Sequence, residues 1–330
     1  MSAPKARYLT KSRFKVGSQC PAKLNYLDND AYGNNNVDDA FLKALADGGF
    51  QVGELAKIYF PGGIEVKTKE HKLAAAETAE LMKQENVVIF EAAFLVDALF
   101  LRADIVVKRG KFLELIEVKS ATFKPSTDSF YGKREPSKIL GDWHPYLLDV
   151  TFQDYVIRLA YPDHKLTSSM MFANRETVTT VDGLNQRFVL KSVNGRTQVE
   201  VVPSTDLASV GKSILHRVTV DDEIKTLRAE KYDGRSFEDH VRFLSETYVD
   251  RKTAVGTPGQ DCKGCEFRID AETKAEGVKS GFDECWLKAK LVKAKDLDEP
   301  FVFDVWNFRG AKKLVENGVY LMADISEDDF

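Results

Sequence analysis

Three apolar runs rich in β-branched and aromatic residues follow one another with little interruption: 87–94 (VVIFEAAF), 98–108 (ALFLRADIVVK) and 111–119 (KFLELIEVK). Such runs read as strands, and the Arg109-Gly110 pair between the last two supplies a tight turn. The alanine- and glutamate-rich stretch 73–85 has helical periodicity, 147–160 reads as a second helix, and 165–174 (KLTSSMMFAN) as a further strand. Helices bracketing three antiparallel strands, then one more strand, make an α/β core with a central mixed β-sheet flanked by helices.

Two of these strands carry charge where burial disfavours it. Asp104 sits in an apolar stretch, and a carboxylate there is costly unless paired or metal-bound. Glu117-Val118-Lys119 repeats the anomaly. Side chains alternate across a strand, so Glu117 and Lys119 project to the same face. The turn at Arg109-Gly110 brings Asp104 towards that face from the neighbouring strand.

Two carboxylates and an ammonium at one point suit phosphodiester hydrolysis. Asp104, Glu117 and the Val118 carbonyl offer oxygen ligands for Mg²⁺ or Mn²⁺. Such an ion polarises a phosphate and acidifies a bound water. Lys119 would orient that water or offset the extra charge of the transition state. The blander reading is a salt-bridged pair or an edge strand facing water. For Glu-x-Lys alone that reading is preferred; Asp104 on the preceding strand shifts the balance to a metal site.

The rest of the chain is organised around this core. Thr10 or Ser12 can cap a short helix leading to Cys20 and Pro21. A polar loop at 29–36 precedes a helix at about 37–46, and a second helix holds Gly53, Glu54 and Leu55 and ends before Pro61. Beyond the core, 187–193 and 196–202 flank an Asn194-Gly195 turn, a strong hairpin signal. Residues 204–230 and 236–248 look helical. The boundaries expected are a core at 1–175, a hairpin and helical insertion at 176–250, and a Cys-rich segment at 251–330 that closes back on the core.

The four cysteines are Cys20, Cys262, Cys265 and Cys285. A Cys-x-x-Cys pair with two further cysteines and none left over suits a single four-thiolate metal or cluster site. A redox pair and unrelated buried thiols are the competing readings. Nothing resembling a signal peptide opens the chain, and no apolar run reaches membrane-spanning length, so a cytoplasmic protein without membrane contact is expected. With 47 basic against 51 acidic residues, no general nucleic-acid coat is present, and DNA contact would need a local basic groove. Arg102, Lys124, Lys133, Arg134 and Lys138 flank the strands and could line one. Glu91, on the first strand, could approach Asp104 but reads rather as a surface-facing strand residue; Asp149 shares a helix face with Gln153, and Trp143, Trp286 and Trp306 read as packing residues.

The order helix-Glu54, strand-Asp104, strand-Glu117-Val118-Lys119, helix-Gln153 resembles the RecB-like branch of the PD-(D/E)xK nucleases. The resemblance implies a restriction-endonuclease-like core. It implies that Asp104 and Glu117 bind metal, that Lys119 supports catalysis and that Gln153 completes the site. Glu54 stands where many members have His, so a metal role and a solvated helix-face Glu are both open for it. Tyr155 reads as core, because many members space Gln and Tyr by a full helical turn. An N-terminal cysteine with a C-terminal Cys-x-x-Cys and a further Cys is similar to the iron-sulfur subgroup, which includes AddB and CRISPR-associated exonucleases. The segments at 9–21 and 90–119 look closer to a bacterial group of uncharacterised RecB-like proteins. The resemblance implies a 4Fe-4S cluster pinning the chain ends, although the Cys265 to Cys285 gap also fits zinc. It also implies DNA as substrate, exonuclease action on single strands or ends, and a helicase or other DNA-processing partner. A non-cleaving DNA-binding or scaffold protein, and a zinc-stapled protein-interaction domain, are the alternatives from other classes.

Overall fold

A computed structural model describes residues 6–36, 40–193 and 196–329. In chain order the elements are β1 (Leu9–Thr10), α1 (Lys11–Gln19), α2 (Lys23–Tyr26), α3 (Ala40–Ile58), β2 (Ile64–Glu65), α4 (His71–Leu81), β3 (Asn86–Val96), β4 (Leu99–Arg109) and β5 (Phe112–Phe123). There follow α5 (His144–Ala160), β6 (Lys165–Asn174), β7 (Phe188–Val193), β8 (Arg196–Val201), β9 (Leu215–Thr219), α6 (Asp221–Ala229) and α7 (Phe237–Val249). The last helices are α8 (Ala271–Ala275), α9 (Gly281–Lys288) and α10 (Ala311–Glu316).

The chain forms two compact units, each discontinuous in sequence. The first comprises Met1–Lys15 and Phe41–Ser245, the second Val16–Ala40 and Glu246–Phe330.

The first unit is α/β, with a seven-stranded mixed sheet in the order β2-β3-β4-β5-β6-β9, β1 pairing with β4. The β3–β4 and β4–β5 pairs are antiparallel, and β5–β6 is parallel across the α5 connection. Gly110 takes the left-handed conformation (φ +55°) that the turn into β5 requires and that a side chain would disfavour. The middles of β4 and β5 are covered on both faces, with Ala103, Val106, Leu115 and Ile116 fully buried. Phe14 stacks on Phe152 of α5 with ring centroids 4.5 Å apart. The Thr10 hydroxyl accepts from the Arg13 N–H at 3.3 Å, so the cap expected for α1 is made by Thr10. β7 and β8 form the expected hairpin as a separate two-stranded sheet.

The second unit has its own apolar centre, in which Phe282, Trp286, Phe301, Val302 and Phe303 are almost wholly buried. The indole of Trp286 meets the Phe301 ring at 4.9 Å. Its two chain segments are tied by paired bonds: Asn25 Nδ2 donates to the Ala254 carbonyl at 2.7 Å, and the Ala254 N–H donates to Asn25 Oδ1 at 3.1 Å. Lys23 pairs with Glu266 at 2.6 Å, both largely buried.

Three expectations are corrected. The two helices read at 37–46 and around Glu54 are one, α3, which runs from Ala40 to Ile58 through Gly48 and Gly49 with no proline between. Residues 204–230 are not one helix: Gly211 turns the chain at φ +68°, and 215–219 then pairs with β6 as the sheet's edge strand before α6 begins. Trp306 is no packing residue, since it is 89% exposed. The Asn194-Gly195 turn and the start of the helix expected from 37 lie outside the described residues. Among the described residues, no helix is long and apolar enough to cross a membrane.

Candidate active site

The β4–β5 ladder ends at the pair Ile105 and Ile116. One step beyond, the Val118 N–H donates to Asp104 Oδ2 at 2.7 Å, so a side chain takes over where the ladder stops. Alternation puts Glu117 and Lys119 on one face of β5, and the Lys119 ammonium donates to Glu117 Oε1 at 2.6 Å. From α5, Gln153 Nε2 donates to Glu117 Oε2 at 2.8 Å, and Asp149, one turn earlier, accepts from Lys119 at 2.7 Å. Asp104, Glu117, Lys119 and Gln153 thus come together, and Asp149 joins them. Tyr155 instead packs its ring against Phe237.

Lys11, the first residue of α1, completes the cluster. Its ammonium reaches Glu117 Oε1 at 3.0 Å and Oε2 at 3.3 Å. No local pattern marks it, because it lies 106 residues from its partner.

The charges are strongly polarised. Burial, and then the negative charge of Glu117, push the Asp104 carboxyl above the usual carboxylate range. Burial would raise Glu117 too, but the ammonium groups of Lys11 and Lys119 outweigh it and hold Glu117 well below that range. Burial works against the charge on Lys119, yet Glu117 and Asp149 outweigh it and hold its pKa above the ordinary lysine value.

A cleft of about 730 Å³ opens on Asp104 and Val118. Its lining includes Glu54, Glu91, Lys57, Lys67, Lys69, Arg102 and, from β8, Thr197 to Val199. Glu54 therefore shares the cleft with Asp104, although its carboxylate is held by Lys57 at 2.7 Å. Glu91 faces the cleft and is not simply a surface residue: its φ of +53° interrupts the β3–β4 ladder between Phe90 and Ala92, opposite Asp104. Of the basic residues expected to line a groove, Arg102 does so; Lys57, Lys67 and Lys69 were not foreseen.

All four cysteines belong to the second unit, and none is in a disulfide. Gly256 lies against this group: a Cβ placed on it would lie 3.0 Å from Ala22 Cβ, 3.3 Å from Cys20 Sγ and 3.8 Å from Cys285 Sγ. The Gly259 N–H donates to Cys262 Sγ at 3.4 Å, and the Tyr26 hydroxyl meets Cys285 Sγ at 3.2 Å. Burial, aided by Cys20 and Cys285, pushes the Cys262 thiol up. Burial also pushes Cys265 up to about 11.

Among the described residues, no three His, Cys, Asp or Glu side chains are grouped so as to hold a metal ion. What both places offer is donor chemistry. Asp149 Oδ1 and Gln153 Oε1 are buried without a hydrogen-bond partner among the described residues, leaving acceptor oxygens beside Glu117. The four cysteines supply soft thiolate ligands within one unit. By donor type alone, oxygen ligands suit a hard divalent ion and thiolates a soft metal or a cluster.

No known protein-family model matches this chain. No curated protein is similar to it.

Proposed function

We propose that the protein is a metal-dependent DNA nuclease of restriction-endonuclease-like type, cutting phosphodiesters as an exonuclease on single strands or ends. The observation that carries this reading is the meeting of Asp104, Glu117, Lys119 and Gln153 on two adjacent strands and the following helix. Asp104 and Glu117, with the Val118 carbonyl, would hold Mg²⁺ or Mn²⁺, which when bound supplies Lewis-acid polarisation and an acidified water. Lys119 stays an ammonium, so it stabilises developing negative charge and is not a general base. Gln153 fixes the Glu117 carboxylate, and Asp149 fixes Lys119. The cleft's cationic lining offers a path for a strand leading to Asp104. Glu54 is an optional further member.

Cys20, Cys262, Cys265 and Cys285 would hold a 4Fe-4S cluster, or Zn²⁺, clamping residues 16–40 to 246–330 within the second unit. The setting proposed is the cytoplasm, beside a helicase or another DNA-processing protein. A second reading, a non-cleaving DNA-binding or scaffold protein, is favoured by one observation: Glu117 is already neutralised by two ammonium groups. An end-labelled single-stranded DNA incubated with Mg²⁺ or Mn²⁺ separates the two. Cleavage that disappears in Glu117→Gln supports the nuclease; strand binding without cleavage under either ion supports the scaffold.

A further inference from the structure

Glu117 is fully subscribed. An ionised carboxylate offers about four lone-pair positions. Oε1 accepts from Lys119 at 2.6 Å and Lys11 at 3.0 Å, while Oε2 accepts from Gln153 at 2.8 Å and Lys11 at 3.3 Å. A divalent ion can bind Glu117 only by taking a position that one of these donors holds.

The three donors are not equally held. Lys119 has a second anchor in Asp149 at 2.7 Å. Gln153 is wholly buried within α5 and cannot withdraw without moving the helix. Among the described residues, the hydrogen bonds of the Lys11 ammonium all go to Glu117, shared across two oxygens at the longest distances of the set. Its side chain is 24% exposed, and it begins α1, so it can swing away without breaking a helical turn.

We propose that Lys11 is the displaceable cation of this site: it competes with a divalent ion for both oxygens of Glu117 and, once displaced, turns its charge to the phosphate of a bound strand. This rests on the metal-dependent reading above. Two ammonium groups already stand on Glu117, so a dication arriving there meets like charge that the departure of Lys11 relieves. Lys11 thus sets the metal affinity low while no strand is bound and adds to strand binding when metal is present.

The experiment measures Mn²⁺ binding by the electron paramagnetic resonance of the free ion, on the full chain. Lys11→Met is expected to bind Mn²⁺ roughly two- to fivefold more tightly than wild type, the range of a partly exposed ion pair. Glu117→Gln is expected to lose this binding. Equal or weaker binding by folded Lys11→Met overturns the proposal and leaves the metal-dependent reading standing. If the wild type binds no Mn²⁺ that Glu117→Gln removes, both fall. Tighter binding by Lys11→Met in a protein that never cuts DNA keeps this inference and sinks the nuclease. Should Lys11→Met not fold, Lys11→Arg replaces it: a guanidinium forks onto both carboxylate oxygens and is expected to weaken Mn²⁺ binding. Unchanged or tighter binding by Lys11→Arg would overturn the proposal equally.

Discussion

The Val118 N–H donates to Asp104 Oδ2 at 2.7 Å, just past the last residues paired between β4 and β5. One oxygen of Asp104 is therefore committed to the backbone. Asp104→Asn keeps an acceptor and is expected to fold with little loss of stability. Asp104→Ala leaves the Val118 N–H without its acceptor and is expected to cost about 1–3 kcal/mol. Urea unfolding of the two variants measures the difference, and both are expected to lose metal-dependent cleavage. Equal stabilities would show that the bond contributes nothing.

Lys119→Ala removes the charge that Glu117 and Asp149 hold in place. Its turnover on single-stranded DNA is expected to fall by about 10²–10³, as when a positioned electrostatic stabiliser is lost. Circular dichroism and strand binding should be retained. A folded variant that cuts at the wild-type rate would remove Lys119 from the mechanism.

His240 stacks on Tyr232, with centroids 4.9 Å apart, and meets Phe14 edge-on at 6.3 Å. Burial in that aromatic surround lowers its pKa from 6.5 to about 4. The unfolded chain therefore takes up a proton before the folded one does. The stabilisation from neutral His240 is complete above pH 6.5 and is lost progressively as pH falls towards about 4. Denaturation midpoints across that window should fall less steeply in His240→Phe than in wild type. Parallel curves would show that the histidine is not the titrating group.

Burial holds the Cys262, Cys265 and Cys285 thiols above the ordinary thiol value, so at neutral pH they keep their protons until a cation takes the sulfurs. Loading the protein with iron and sulfide, or with zinc, is expected to release protons measurable in weakly buffered solution. Anaerobically purified protein is expected to show a band near 400 nm with about four irons for a cluster, or about one zinc without colour. Cys20→Ser should lose most of that metal. Wild-type protein with neither metal would leave the thiols as buried packing groups.

Lys67 and Lys69 are exposed on the rim of the cleft. Replacing both with Ala is expected to weaken single-strand binding at every sequence alike. It should also lower the slope of log affinity against log salt by about 0.7 for each phosphate that is no longer neutralised. An unchanged slope would place the strand elsewhere.

What was legible in the sequence was what repeats locally. Alternation on β5 paired Glu117 with Lys119, the turn at Gly110 brought Asp104 alongside, and one helical turn put Asp149 with Gln153. Lys11 was not legible, because its partner lies 106 positions away and no periodicity links them. β9 was misread because an edge strand half in solvent lacks a continuous apolar run. Gly48 and Gly49 lie inside α3, where a helix interior tolerates each at a cost of about 1 kcal/mol. The positive φ of Glu91 gave no signal, since among side-chain-bearing residues it is Asn, Asp and His that favour that region, and Glu does not.

Because the second unit is assembled from Val16–Ala40 and Glu246–Phe330, its birth is delayed. On the ribosome, Cys20 emerges early and must wait for Cys285, roughly 15 to 50 seconds at about 5–20 residues per second. During that interval both segments of the first unit, Met1–Lys15 and Phe41–Ser245, are already synthesised. The thiol of Cys20 meanwhile stays exposed to oxidants and stray metals. The order in which the two segments of the second unit meet is therefore fixed by nothing more than the position of residues along the chain.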